Sequence, residues 1–598
     1  MSTTKTRFGR PQGWLTTLLL VCSACTGVSS LPDGYSGPPS SDDPSGAAAG
    51  PGGPGGPGGP GGPGGPGAGG DGPLPSVPAG NVRGGTRVVP STTLDAGRVV
   101  LRRLNRTEFD NTVRDLVGTM STPAKDTFAA EDPADGFDTL GSNLFMSSLL
   151  VEQLDAATSK LVDELLARPA GDAWRTKILT CQPAAANAAA CYTEILSAFM
   201  KNAYRRPVTT EEVQGRVALA TSVQTSSGDA MRGLNAALKA VLMSPHFLYR
   251  VELGNPTSAA ATPLSDYELA SRLSYFLWAS TPDQTLLQAA EDKKLSPAAA
   301  DLSAQVDRML ADPKSQGFID SFAGQWLSGR DAVRFVADTK VFPGYDDALR
   351  LAMPQETSLF FKALVTEKQP LSALLLAKFT YVNDRLAKQY GLPAGQTGFT
   401  RVSLEGTERM GVLTQGTFLT SSSYAFRTSP VKRADWVLEH LMCDPPPAAP
   451  PNVPALTETL PAGLTLRQTF EAHRSNPTCA ACHKVMDSIG FALENFDATG
   501  AYRTLDNKVA IDTTGELADG TPLTGAKDLS IALAADADYA ICVAKQALTY
   551  AVGRSFSAVD AKAYAAGIGV RMKDSSWPEF LQAIVKSQAF LTRRGEAL

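Results

Sequence analysis

The stretch "LRRLNRTEFDNTVRDLVG", residues 101–118, sets the class of the fold. Leu101, Leu104, Phe109, Val113 and Leu116 fall near one face when wound as a helix, and Gly118 follows as a stop. The same period continues outward through 151–167, "EILSAFMKNAYRRPVTTEEVQGRVALATSV" (194–223), "LNAALKAVLMSPHFLYRVEL" (234–253) and "LSDYELASRLSYFLWAS" (264–280). In the second of these Pro207 breaks the pattern, and Thr209 ahead of Glu211 and Glu212 reopens it as a helix cap. Ser265, with Glu268 three residues on, caps the last. Further helices are predicted over 284–291, 300–312, 315–328, 351–367 and 382–390. Strand signals are few, and "GELADGTPLTG" (515–525) is the best of them, a hairpin punctuated by Gly and Asp. The predicted class is mainly α, several helical modules in tandem with a small β-hairpin near the C-terminus.

Upstream of 98 the composition changes. Lys5, Arg7 and Arg10 precede an apolar run from Trp14 to Val21, the layout of a signal peptide over residues 1–25. Ser23-Ala24-Cys25 resembles a bacterial lipobox, which makes Cys25 the expected acyl acceptor; Cys22 stands where Leu is usual, and ordinary secretion is the rival. Residues 26–97 are rich in Gly, Pro and Ser and hold too little apolar surface to fold. They read as a disordered tether, with an end-to-end distance of roughly 45–50 Å for about 70 residues. No later segment offers the about 18 continuous apolar residues of a membrane helix. The expected protein is exported to the periplasm, outer membrane or cell surface and anchored to the membrane by lipid.

Breaks near 170, 255, 395 and 510 divide the remainder into helical modules at 98–170, 171–255, 256–395, 396–510 and 511–598. A proline run, "CDPPPAAPPNVPAL" (443–456), is expected to cross the surface as an extended strap. The net charge of −5 and the lack of a basic stripe argue against nucleic acid as a partner. His246 in "SPHFLYR" is expected to pack in the core, and Asp384 and Arg385 to cap a helix start.

Chemistry concentrates in "NPTCAACHKVMDSIGFALENFDATGAYR", residues 476–503. Cys479, Cys482 and His483 spell C-x-x-C-H, the spacing that attaches a c-type haem. Two thiols about one helical turn apart reach the two vinyl groups on one haem edge, and the adjoining imidazole becomes the proximal ligand. Histidine is 4 of 598 residues, so its chance placement after a given C-x-x-C is about one in 150. Haem attachment outside the cytoplasm agrees with the export signal. Other uses stay open: a tight disulfide or redox dithiol, disulfides to Cys443 or Cys542, or a zinc site from Cys479, Cys482, His483 and His473. For the second axial position His473 is favoured over His440, Met442 and Met410, while Met486 is too near in sequence to reach around the ring. Arg427, Lys432, Arg433 and Arg503 are candidates for the haem propionates. Glu494 or Asp497 paired with Arg503 is the structural alternative.

Of 8 cysteines, two lie in the signal region and six in the folded part. Cys181 and Cys191 flank nine residues and read as a disulfide around a small loop. Cys443 and Cys542 are left to pair if a haem takes Cys479 and Cys482.

Several long stretches together resemble a known set of bacterial modules: "RRLNRTEFDNTVRDLVG", "NAYRRPVTTEEV", "LMSPHFLYRVE", "LSDYELASRLSYFLWASTPD", "GVLTQGTFLTSSSYAFRTSPVKR" and the C-x-x-C-H segment. Their order is similar to that of large secreted planctomycete and myxobacterial proteins built from domains of unknown function, the 1592 series with its associated 1587, 1595, 1588 and 1585 modules. Cytochrome c modules often accompany that series, but the resemblance implies no settled reaction. The expected function is therefore an exported c-type haem protein for electron transfer or oxidoreduction, with a redox partner protein. The competing expectation is a surface scaffold whose C-x-x-C-H cysteines are structural.

Overall fold

Asn105 starts the first helix. Its side-chain oxygen accepts from the Glu108 N–H at 2.8 Å, while the Glu108 carboxylate accepts from the Asn105 N–H at 3.1 Å, so each satisfies a donor the helix leaves open. The helix runs Arg106–Val117 and ends on Gly118 at φ 71°. It begins later than the apolar spacing predicts: Leu101 is exposed, and Arg102–Arg103 form a short strand antiparallel to Tyr249–Arg250. A cap with both hydrogen bonds in place outweighs the two further apolar residues, Leu101 and Leu104, on the stripe.

The computed structural model describes residues 101–252, 261–295, 300–393, 395, 397–447, 464–473, 477–556 and 564–594. The signal segment with Cys25, the tether and the proline strap from residue 448 onward lie outside these. Helices dominate the described residues, and strands pair as five two-stranded antiparallel ribbons. The predicted hairpin is one of them, Gly515–Glu516 against Pro522–Leu523. Capping boxes at Thr209–Glu212 and Ser265–Glu268 open helices Thr210–Ser227 and Asp266–Trp278, as their sequences imply. Two expectations change. The 315–328 run is interrupted by a π turn at Ile319–Ala323. Residues 379–382 form a strand, so the next helix starts at Asp384 under an Asn383 cap; Asp384 instead accepts from the Gly395 N–H, and Arg385 reaches Asp346 at 2.8 Å.

Apolar side chains gather in two large cores. One takes residues from Leu104 to Leu248, joining material from both 98–170 and 171–255. The other takes residues from Leu264 to Leu591, drawn from all three later segments, together with Phe137 and Leu140. Helix Asp266–Trp278 serves both: Tyr275 belongs to the first core, and Leu269, Leu273, Phe276 and Leu277 to the second. Its Arg272, fully buried, donates to Glu252 and to the carbonyls of Ala589 and Phe590. Close by, strand Thr592–Arg594 returns to pair with Ala261–Pro263. No helix among the described residues is long and apolar enough to cross a membrane.

Candidate functional site

C-x-x-C-H lies on helix Pro477–Phe491. Near its C-terminal end Gly490 allows a close approach to helix Pro430–Trp436, because a Cβ there would sit 2.3 Å from the Pro430 carbonyl oxygen. Leu466, Phe470 and Phe491 bury a small apolar cluster against Val431. The His483 ring lies 6.2 Å from that of Phe470.

His483 Nδ1 sits 2.9 Å from Asp487 Oδ1, one turn along the same helix. The Asp487 side chain is 2% exposed and that of His483 16%. Such a carboxylate holds the Nδ1–H tautomer, which puts the ring's lone pair on Nε2. The sequence signal for Asp487 was available as H-x-x-x-D, a histidine and an aspartate four apart on one helical face. The side chains of Cys479, Cys482 and His473 lie outside the described set; His473 is the last residue of helix Leu466–His473.

The remaining cysteines pair with one another. Cys181 bonds to Cys191, and Cys443 to Cys542 with its Cα atoms 5.2 Å apart. The second bond encloses the whole C-x-x-C-H segment and removes cross-pairing of Cys443 or Cys542 with Cys479 and Cys482.

The arginines expected near haem propionates meet around Thr428 and Glu494. Arg433, fully buried, donates to Glu494 at 3.2 Å and to the carbonyls of Leu493 at 2.7 Å and Asp497 at 3.1 Å. Burial pulls its guanidinium down to about 10, so it stays charged at neutral pH. Arg503 donates to Glu494 at 3.0 Å and to Asp506 at 3.0 Å. Both are thus engaged as structural ion pairs, the alternative reading of this segment. Arg427 is half-buried, stacked over Tyr424 at 4.7 Å and donating to the Thr428 carbonyl. Lys432 donates to the Ser423 carbonyl at 3.0 Å.

The other residues considered as axial ligands are packed into the protein. Met442 and Met410 are buried. His440 stacks on Trp436 at 4.7 Å and donates from Nδ1 to its carbonyl; burial drives it down to about 4, so it is neutral. His246 departs from expectation: its side chain is 46% exposed, beside Glu212 and Arg206, because Ser244 caps a short helix that turns the ring outward. Among the described residues no cluster of three or more His, Cys, Asp or Glu could hold a metal ion.

Five family models match in tandem, each described as a protein of unknown function: DUF1587 over 102–167, DUF1595 over 191–252, DUF1592 over 264–392, DUF1588 over 409–506 and DUF1585 over 519–590. The DUF1588 model, whose span holds C-x-x-C-H, carries the name PSCyt3. No curated protein and no solved structure matches the chain. The chain belongs to the series of multi-domain proteins that carry these five modules of unknown function in this order.

Proposed function

We propose that this chain is an exported c-type haem protein of the cell envelope, serving electron transfer or an oxidoreductase reaction. The observation that carries the reading is the Asp487-held imidazole of His483 next to C-x-x-C, in which Nε2 would be the ligand nitrogen. The mutual pairing of four other cysteines supports it, since it leaves Cys479 and Cys482 for thioether bonds. The name of the model matched over 409–506 points the same way.

When bound, the haem would supply one-electron chemistry at its iron. Cys479 and Cys482 would hold its vinyl edge, and His483 would ligate its iron. Asp487 would keep the Nδ1 proton in place and make Nε2 a stronger donor, which lowers the reduction potential of the bound iron. His473 is the proposed second ligand, and Arg427 the arginine proposed to meet a propionate. Arg433 and Arg503 would act at a remove, holding the Glu494 segment that follows the attachment helix. Acylation of Cys25 would tether the protein to the membrane, where a redox partner would meet it.

The test is expression in a host with functioning cytochrome c maturation. The expected product is red, shows a Soret band and keeps its haem through acid–acetone extraction; Cys479→Ser with Cys482→Ser abolishes covalent attachment. A mature protein whose peptide spanning 477–484 carries no haem mass overturns the reading and favours the scaffold.

A further inference from the structure

Three of the long stretches carrying the family resemblance are untouched by the haem site: "NAYRRPVTTEEV", "LMSPHFLYRVE" and "LSDYELASRLSYF". They converge on a pocket of about 240 Å³ where the two cores adjoin, lined among others by Tyr204, Arg206, His246, Tyr267 and Ser271. Its floor is built with care. Arg205 adopts φ 60°, a left-handed conformation that costs a non-glycine residue about 1 kcal/mol or more. That backbone turn sends its guanidinium inward, to the carbonyls of His246 at 3.0 Å, Phe247 at 3.0 Å and Tyr249 at 2.7 Å. The neighbouring Tyr204 is 5% exposed, and its hydroxyl is buried without a hydrogen-bond partner. A buried hydroxyl left unpaired costs about 1–3 kcal/mol, and a ligand in the pocket would relieve that cost.

The lining also selects the ligand's chemistry. Arg206 spends its guanidinium on Glu212, with contacts of 2.7 and 3.0 Å, so it has little to offer an anion. Glu268 accepts from the N–H and hydroxyl of Ser265 in the helix cap, both at 2.8 Å, so it is committed as well. Burial and the adjacent Arg206 pull His246 below its ordinary range, leaving it neutral at pH 7. The Tyr204 ring is covered by the His246 ring at 5.3 Å and the Arg206 guanidinium at 5.8 Å, so what remains on offer is the Tyr267 ring, the orphaned Tyr204 hydroxyl, the Ser271 hydroxyl and a neutral imidazole. An aromatic face beside neutral donors and acceptors matches a ring with an apolar face and several hydroxyls. The volume, below the about 300–1,000 Å³ of drug-sized sites, restricts the occupant to one ring.

We propose that this pocket binds a single neutral pyranose unit, either a free monosaccharide or the exposed end of a glycan. Tyr267 packs on the ring, and the Tyr204 hydroxyl takes one sugar hydroxyl as its missing partner. The test uses saturation-transfer NMR on the full chain with methyl β-glucopyranoside and N-acetylglucosamine. Sodium glucuronate and choline serve as charged comparators. The expected result is saturation transfer from at least one neutral sugar with a Kd of about 1–10 mM. Tyr204→Phe should weaken it about fivefold while the melting temperature holds, because only an unpartnered hydroxyl is lost. Ser271→Trp should abolish it by filling the pocket. A second arm offers a linear glucan bearing the same terminal unit: tighter binding there than to the free glycoside assigns the site to chain ends, and equal binding to free sugar. Absence of transfer from both neutral sugars, stronger binding of either comparator, or binding indifferent to both substitutions overturns the proposal. None of these readouts depends on haem.

Discussion

Glu494 and Glu356 are both buried carboxyls, 4% and 0% exposed, yet the chain neutralises them in different ways. Glu494 is gripped by two guanidiniums and a hydroxyl: Arg433 at 3.2 Å, Arg503 at 3.0 Å and Thr428 at 2.7 Å. Glu356, on helix Asp347–Thr366, is met by neutral donors: the hydroxyls of Thr380 at 2.5 Å and Tyr390 at 2.6 Å, and the Gly416 N–H. Arg409 is near but lies flat over the Tyr390 ring at 3.7 Å, and it donates to the carbonyls of Thr414 and Gly500 instead. Burial therefore pushes Glu356 up to about 7, against the weaker pull of its hydroxyl bonds, Arg409 and the Gly416 N–H. A buried carboxyl can be answered by a fixed cation or by a proton, and the second answer weakens as pH rises.

Removing the cation's counterpart should have the largest effect. Glu494→Ala leaves the Arg433 charge buried and unanswered, and the expected loss is about 3–5 kcal/mol in denaturant unfolding. The pair Arg433→Met with Glu494→Leu should recover most of that loss, since the desolvated charges go together. A loss below about 1 kcal/mol for the single variant would mean that Glu494 is not held by charge.

Next in size is the pH response of Glu356. Its folded pKa is raised above the unfolded value of 4.5, so the folded chain keeps a proton that the unfolded chain gives up. That stability is complete below about pH 4.5 and drains away as pH rises to about 7, a total of about 3 kcal/mol. Glu356→Gln cannot ionise and should lack this decline, so its stability relative to the native chain should climb between pH 4 and pH 8 by a comparable amount. Parallel profiles for the two proteins would show that Glu356 is already ionised in the folded state.

The two sites also differ in how far they could be read from residues alone. "FALENFDATGAYR" puts Glu494 and Arg503 nine residues apart beside a turn, and their pairing was foreseeable. Arg433 comes from helix Pro430–Trp436, 61 residues from its carboxylate partner, and the sequence offered it as a propionate ligand instead. Glu356 gave no sign at all. It falls within a helical run whose apolar period says which face is buried, not that a carboxyl shares that face with Thr380 and Tyr390. Helices, caps and the 515–525 hairpin rest on neighbours a few residues apart and were legible. The sharing of cores among modules, the outward turn of His246 and the π turn at Ile319–Ala323 depend on contacts distant in sequence.

Tyr390→Phe tests the hydroxyl answer directly and should cost about 1–2 kcal/mol. The Tyr390 hydroxyl accepts from the Gly416 N–H at 2.5 Å as well as donating to Glu356, so its loss removes one bond from each. Because that donation stabilises the carboxylate, the variant should also hold the Glu356 proton to higher pH, and the stability decline should move upward with it.

Arg503→Ala should be the mildest change. The Arg503 side chain is 25% exposed, against 0% for Arg433, although both reach the same carboxylate. Water can take the place of the outer guanidinium, while Arg433 and Thr428 still hold Glu494 from within. The expected loss is about 0.5–1 kcal/mol, smaller in about 1 M salt than in dilute buffer. Arg433→Ala in parallel should cost several-fold more and respond little to salt. If instead the exposed arginine proves the costlier to lose, then the carboxylate is neutralised from the solvent side, and the contrast between Glu494 and Glu356 reduces to a difference in depth.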